Sequence, residues 1–314
     1  MFRALLIGCG NIGALYDLET SDVFTHAKAY SKNAMFKFTV YDQDVELAKK
    51  IANKYGVDYI PDIVAINFSE YDCVSICSPT STHVHFLKMA FLAKVKVIIC
   101  EKPISIDENE LNDISNLYLN SSSKVIVNYI RRFQPSFIDL KVLVEEMLLK
   151  EKLVNINITY QKGFLNNASH AFDLLQFLFN QNLVLKDVMV TNKEFDFFKN
   201  DPTLSLLANW NNVPVNVIGL TNITFTIYEL ELFFDSRTIK ITDSGKNITV
   251  YTIPDSQPFL LPLIIDEKNS QSNCIKNYME FVIAKAQTIL LKNENSDNFM
   301  DSISLNKEMI KHIK

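Results

Sequence analysis

The chain has 314 residues, 48% hydrophobic and 21% charged, with a net charge of −5. That length and balance exclude a disordered chain and suggest two domains. The acidic balance speaks against general nucleic-acid binding, and no apolar stretch approaches the roughly 18 residues of a membrane span.

The elements alternate from the start. Arg3 to Ile7 reads as a buried strand that runs into Gly8-Cys9-Gly10-Asn11-Ile12-Gly13, where a helix is expected to open. Further strands are predicted at Phe36 to Tyr41, Cys73 to Cys77, Val95 to Cys100 and Val125 to Tyr129. Helices are predicted at Val45 to Lys54, His83 to Ala93 and Glu108 to Leu119. Buried strands separated by helices imply a parallel sheet with right-handed crossovers. After residue 130 the pattern changes. A helix over Pro135 to Lys150 precedes the half-exposed strand Val154 to Tyr160. A helix near Ala171 to Phe179 precedes strand-like runs from Val184 to about Tyr251. Helices over Ser272 to Lys292 and Asn298 to Ile313 close the chain. The expected division is a Rossmann α/β domain over 1–130 and an α+β domain over 131–314 with a large, mostly antiparallel open sheet.

Only seven glycines occur, about a third of ordinary usage, yet three of them form G-x-G-x-x-G at Gly8, Gly10 and Gly13. Behind a strand, that motif is a dinucleotide fingerprint. The first glycine turns the chain, the second admits a pyrophosphate and the third packs helix on strand, while Asn11 and Ile12 lie between them. A tight glycine turn in a nucleotide-free domain is the bland alternative. Asp42 ends the second strand, where a carboxylate takes ribose hydroxyls and repels a 2′-phosphate; NAD is therefore expected over NADP. It lies 29 residues past Gly13, more than usual, and Tyr16 to Phe24 reads as an insertion that explains the excess. A solvated turn aspartate is the alternative.

Lys102, in Glu101-Lys102-Pro103, follows the apolar run Val97 to Cys100. Ligands bind beyond the carboxyl ends of parallel strands, so a lysine there can hold a substrate oxygen or handle a proton. On position alone a solvated loop lysine reads as well. Ser78-Pro79-Thr80 flanks the same edge. His83 and His85 do not share a helical face, which argues against a metal pair. Five cysteines with no Cys-x-x-Cys fit a reduced cytoplasmic protein with no structural zinc.

These pieces together resemble the Gfo/Idh/MocA family of NAD(P)-dependent oxidoreductases. The resemblance rests on the glycine motif, Thr25-His26-Ala27-Lys28-Ala29, Ser78-Pro79-Thr80-Ser81-Thr82-His83, Glu101-Lys102-Pro103, Asn128-Tyr129-Ile130-Arg131-Arg132-Phe133 and Ser169-His170-Ala171-Phe172-Asp173. It implies that Lys102 is the catalytic lysine and His170 the general base. It places Glu101, Ser78, Pro79, Thr80 and His83 at the cofactor and Arg131 at the substrate. It also implies a sugar, cyclitol or related polyol as substrate, and a homodimer or homotetramer formed through the C-terminal sheet. One position departs from the pattern. Asn166 stands where sugar and inositol dehydrogenases of the family carry aspartate, four residues before the histidine. An asparagine can position an imidazole but cannot offset its charge. A non-enzymatic dinucleotide-binding regulator, or a reductase of imines or tetrapyrroles, are the alternatives.

Overall fold

The computed structural model describes residues 1–254, 262–294 and 296–313. They form two compact units, Met1–Phe133 with Asn277–Ile303 and Gln134–Lys276 with Ser304–Lys314. The first opens with β1 (Phe2–Ile7), α1 (His26–Lys32), β2 (Phe36–Tyr41), α2 (Val45–Tyr55) and β3 (Asp58–Ile60). It continues through β4 (Cys73–Ile76), α3 (Thr80–Leu92), β5 (Val97–Cys100), α4 (Glu108–Leu119) and β6 (Lys124–Val127). The six strands are all parallel, in the order β3-β2-β1-β4-β5-β6. β3 was not expected from the sequence. It is three residues long and not buried, so it lacks the apolar run that reveals an inner strand.

The second unit carries α5 (Pro135–Leu148), β7 (Leu153–Tyr160), α6 (Ser169–Phe179) and an eight-stranded sheet. Its other strands are β8 (Lys186–Glu194), β9 (Thr203–Trp210), β10 (Val213–Gly219), β11 (Tyr228–Phe234), β12 (Arg237–Thr242), β13 (Asn247–Thr252) and β14 (Ile264–Ile265). The pairing is antiparallel except where β10 runs parallel to β7. Strict alternation sends Ile156, Ile158, Leu230, Leu232, Ile239 and Ile241 to one buried face. Asn155, Asn157, Asn216 and Glu231 are bonded to one another on the other face. Two helices end the chain, α7 (Tyr278–Lys292) and α8 (Phe299–Ile313). α7 starts six residues later than expected, behind Asn277, whose φ of 53° is left-handed.

The first crossover departs most from expectation. The segment after the glycines is a five-residue π-type turn, Asn11–Leu15, and not an α-helix. α1 has only seven residues, too few to cover the sheet beside β1 and β2 alone. Met279, Val282, Ile283, Ala286 and Ile289 of α7 complete that core with Ala4, Leu6, Phe36, Phe38 and Val40. The inserted residues between turn and helix are ordered by Asp17. Its fully buried carboxylate accepts from Phe24 N (2.5 Å), Thr25 N (2.8 Å) and Thr25 Oγ1 (2.7 Å). The loop then docks on the start of α7: Val23 N donates to Asn277 Oδ1, Met279 N to Val23 O, and Phe24 stacks on Tyr278.

Asp17→Ala leaves three donors without their acceptor. Each buried unsatisfied donor costs about 1 kcal/mol or more, so urea unfolding should show a loss of about 3 kcal/mol. A loss below about 1 kcal/mol would show that water replaces the carboxylate and that the insertion is not tied down.

Candidate active site

The parallel ladder extends past the ends of the strands. Gly8 N donates to Tyr41 O, Cys77 N to Ile7 O, Glu101 N to Ile76 O and Asn128 N to Cys100 O, at 2.7–3.0 Å. One row of backbone bonds thus lines up Gly8, Cys77, Glu101 and Asn128 along the carboxyl edge of the first unit's sheet. The strand order reverses between β1 and β4, which makes this the ligand crevice of a doubly wound sheet.

The glycines divide the work at that crevice. Gly8 has φ +93°, and a Cβ there would lie 2.7 Å from the Cys77 carbonyl and Ser78 N. A Cβ at Gly13 would lie 2.0 Å from Gly8 O. Both are demanded by close backbone packing. A Cβ at Gly10 would meet nothing within 4 Å. Gly10 instead faces a cavity of about 840 Å³, lined also by Gly8, Asp42, Ser78, Pro79, His85 and Phe86. Asn11 is exposed and Ile12 half-buried on the short turn. Asp42 Oδ2 accepts from Cys9 N at 2.6 Å and Oδ1 from Asp44 N at 2.8 Å. The carboxylate is therefore fixed against the glycine turn at the cavity wall. A roomy, glycine-floored crevice with one fixed carboxylate fits a dinucleotide by shape and by donor set.

Glu101 is buried beneath the same edge. Its Oε1 accepts from Asn128 Nδ2 at 2.5 Å and lies 3.0 Å from His26 Nε2. The other ring nitrogen of His26 lies 3.1 Å from Ser75 Oγ, which is 2.7 Å from Tyr30 Oη. Burial would raise the Glu101 pKa, but the His26 and Asn128 bonds and the Lys102 charge outweigh it and hold it below the ordinary value. Lys102 follows, half-buried. Arg131 is buried on a 3₁₀ turn, Ile130–Phe133, just past β6. His26, Cys77 and Glu101 bring one ligand atom each within 4.8 Å of one another. Glu101 Oε1 already faces two nitrogen partners, which suits a hydrogen-bond acceptor better than a metal ligand. Burial pushes the Cys9 thiol up to about 12 and lifts Cys77 and Cys100 well above the ordinary value, so none is an activated nucleophile.

His83 does not line the cavity. It is buried, with Nδ1 2.9 Å from Pro103 O and Nε2 2.8 Å from Ser78 O. Thr80 opens α3 behind Pro79, and Thr82, with His85, faces the cavity.

In the second unit His170 is the second residue of α6. Another π-type turn, Phe164–Ala168, precedes it and carries Asn166. Asn166 Nδ2 donates to Lys162 O at 3.2 Å. A carboxylate that the motif reading missed holds this turn. Asp201 Oδ1 accepts from Leu165 N and Oδ2 from Asn166 N, both at 2.8 Å. A Cβ at Gly163 would lie 2.2 Å from that carboxylate, so the glycine makes room for it. Asp201 is 35 residues from Asn166, and no local pattern could have pointed to it. His26 belongs to the Thr25–Ala29 motif segment, but only the fold shows that it is fully buried against Glu101.

Residues 2–129 match the family model for the Gfo/Idh/MocA oxidoreductases, NAD-binding Rossmann fold. Over that stretch the chain is similar to this family. Inositol 2-dehydrogenase of Rhizobium meliloti (strain 1021) is 30% identical over 194 residues, covering 57% of this chain and 55% of that one. The chain spans about half the length of the curated relatives it matches. UDP-N-acetylglucosamine 3-dehydrogenase GnnA from Acidithiobacillus ferrooxidans superposes with a TM-score of 0.79 at 16% identity, covering 99% and 96% of the two chains. The super-repressor mutant of Gal80p from Saccharomyces cerevisiae superposes with a TM-score of 0.77 at 13% identity, covering 99% and 94%. At these identities the two structures show the shared fold alone. No described helix is long and apolar enough to cross a membrane.

The lowered Glu101 pKa has a signed consequence for stability. Its contribution is in place above the ordinary carboxyl value of 4.5 and is lost as pH falls through the depressed folded value. In His26→Ala, burial dominates and the carboxyl titrates higher. The acid limb of unfolding midpoint against pH should move up by about one pH unit. An acid limb that stays in place would show that His26 does not hold the charge.

Proposed function

We propose that the chain is an NAD-dependent dehydrogenase or reductase. It moves a hydride between nicotinamide and a secondary alcohol or ketone of a sugar, cyclitol or sugar derivative. The observation that carries this reading is the row at the sheet edge: a glycine-floored cavity beside fixed Asp42, and Lys102 on the strand end that the His26-held Glu101 anchors. The names of the relatives support the substrate class.

Bound NAD would supply the hydride chemistry. The chain's residues bind, orient and manage one proton. The glycine turn would seat the pyrophosphate, Asp42 the adenosine ribose, and Ser78, Pro79, Thr80 and Glu101 the nicotinamide end, with His83 supporting from behind. Lys102 would donate to the substrate oxygen, stabilising alkoxide character as it develops. His170 would accept the hydroxyl proton in oxidation and return it in reduction, a task suited to imidazole. Arg131 would hold substrate, and Asn166 would orient His170 as a neutral partner. Two fixed carboxylates beside the ribose position, Asp42 and Asp44, support NAD over NADP. The free state of all five cysteines supports a reducing, cytoplasmic setting. A homodimer or homotetramer would use the outer face of the large sheet, where Leu207 and Ile218 are exposed.

The second reading is a non-enzymatic dinucleotide-binding regulator. Asn166 favours it, because a neutral side chain replaces a carboxylate of the usual catalytic group.

Lys102→Ala should lower kcat on a responsive polyol by about a hundredfold or more while NAD affinity stays within about threefold, near 0.6 kcal/mol. Loss of binding with activity would recast the lysine as a cofactor ligand. An unchanged rate, or no turnover by wild type across a polyol panel with NAD, would favour the regulator. Calorimetry should show NAD binding more tightly than NADP, with the gap narrowing in Asp42→Ser; equal affinities in the wild type would remove Asp42 from cofactor choice.

A further inference from the structure

Two loops bound the crevice edge in the first unit, Ser78-Pro79 and Lys102-Pro103. Each contains a proline, which lacks the backbone donor that neighbouring loops use to tie themselves together. Their carbonyls still need partners, because buried backbone oxygens are costly to leave unsatisfied. One side chain meets both. The His83 ring lies 2.8 Å from Ser78 O through Nε2 and 2.9 Å from Pro103 O through Nδ1. Both partners can only accept. A neutral imidazole has one N–H, so it satisfies one carbonyl and turns a lone pair toward the other; the imidazolium satisfies both.

We propose that His83 is a positioning residue, a proton-dependent clasp that fixes the spacing between the Ser78–Pro79 cavity wall and the loop that carries Lys102. The proposal rests on the reading of this crevice as a dinucleotide site. The charged groups that face the ring are Glu101, which favours its charged form, and Lys102, which opposes it. Burial is the largest influence and keeps the ring below its ordinary pKa, so at neutral pH the clasp is half made. Thr82 ties only the first loop to itself, its hydroxyl pairing with Ser78 Oγ and donating to Pro79 O; these bonds do not involve the second loop. A dinucleotide that needs both loops in place must favour the doubly bonded ring. By linkage, its affinity rises as the ring takes up a proton.

The test is NAD affinity by titration calorimetry on the full chain, for wild type, His83→Gln and His83→Ala, between about pH 5.5 and 8. Unfolding midpoints are recorded alongside. Wild type should bind about tenfold more tightly at the acid end, the worth of one charge-assisted hydrogen bond. Both variants should lose that slope, since a glutamine amide cannot span two opposed carbonyls. If a variant fails to fold, the ring nitrogen NMR shifts of His83 in the wild type carry the test. The ring nitrogen that carries no proton in the neutral form should take one up at a pH that NAD raises. Variants that keep the slope and the affinity, or a ring whose titration ignores NAD, overturn the clasp. A wild type that binds no NAD overturns the functional reading and the clasp with it.

Discussion

A charged carboxylate sealed at the end of β5 sets the terms for the first unit. Glu101 is buried, and a buried carboxylate stays ionised only if donors replace its water. Asn128 supplies one bond from the end of β6, and His26 approaches the same oxygen from the start of α1. Those two residues are held in turn, His26 by Ser75 on β4 and Asn128 by the ladder bond to Cys100 O. The ends of β5 and β6 and the start of α1 therefore meet at a single oxygen, with Ser75 of β4 behind His26. Lys102 follows it directly in the chain, so its backbone starts from a side chain fixed by two partners.

That requirement explains the unusual first crossover. His26 must enter from the sheet face beside β1 and β4, and α1 begins there, capped by Thr25. The glycine turn ends at Leu15, so residues 16–24 must bridge the gap without exposing it. Asp17 does this by gathering Phe24 and Thr25 on one carboxylate. The same residues order the loop and set the start of the helix that delivers His26. A seven-residue helix leaves apolar sheet surface uncovered, and α7 returns from far along the chain to bury it. The domain core thus depends on a segment that lies between the two pieces of the second unit in sequence.

The inner strands were legible in the sequence because each is a short continuous apolar run, buried on both faces. The glycine motif, Asp42 and Lys102 were legible because strand ends place them. β3 was not, being a polar three-residue edge. The π-type turns were not, because a five-residue turn and the first turn of an α-helix share the same apolar spacing. The two-carbonyl seat of His83 was hidden for another reason. Its partners are main-chain oxygens, which have no residue-type signature, so a histidine beside a cofactor motif read as a cofactor ligand.

Asn166 shows the opposite case, a substitution visible in sequence whose meaning depends on a distant residue. A carboxylate at 166 would sit on a turn whose own amide already donates to Asp201. Two carboxylates so close in a half-buried segment repel, and one would be driven toward its protonated form. Asparagine avoids that conflict and uses its amide to tie back to Lys162 O. Asp201 meanwhile satisfies two amides at the start of the turn, which would otherwise lack acceptors. The carboxylate that orders the approach to His170 is thus Asp201, two residues before β9 and not on the turn itself. Gly163, with no Cβ to meet Asp201, is the residue that admits this carboxylate, so glycine at 163 and asparagine at 166 both accommodate the same distant acid.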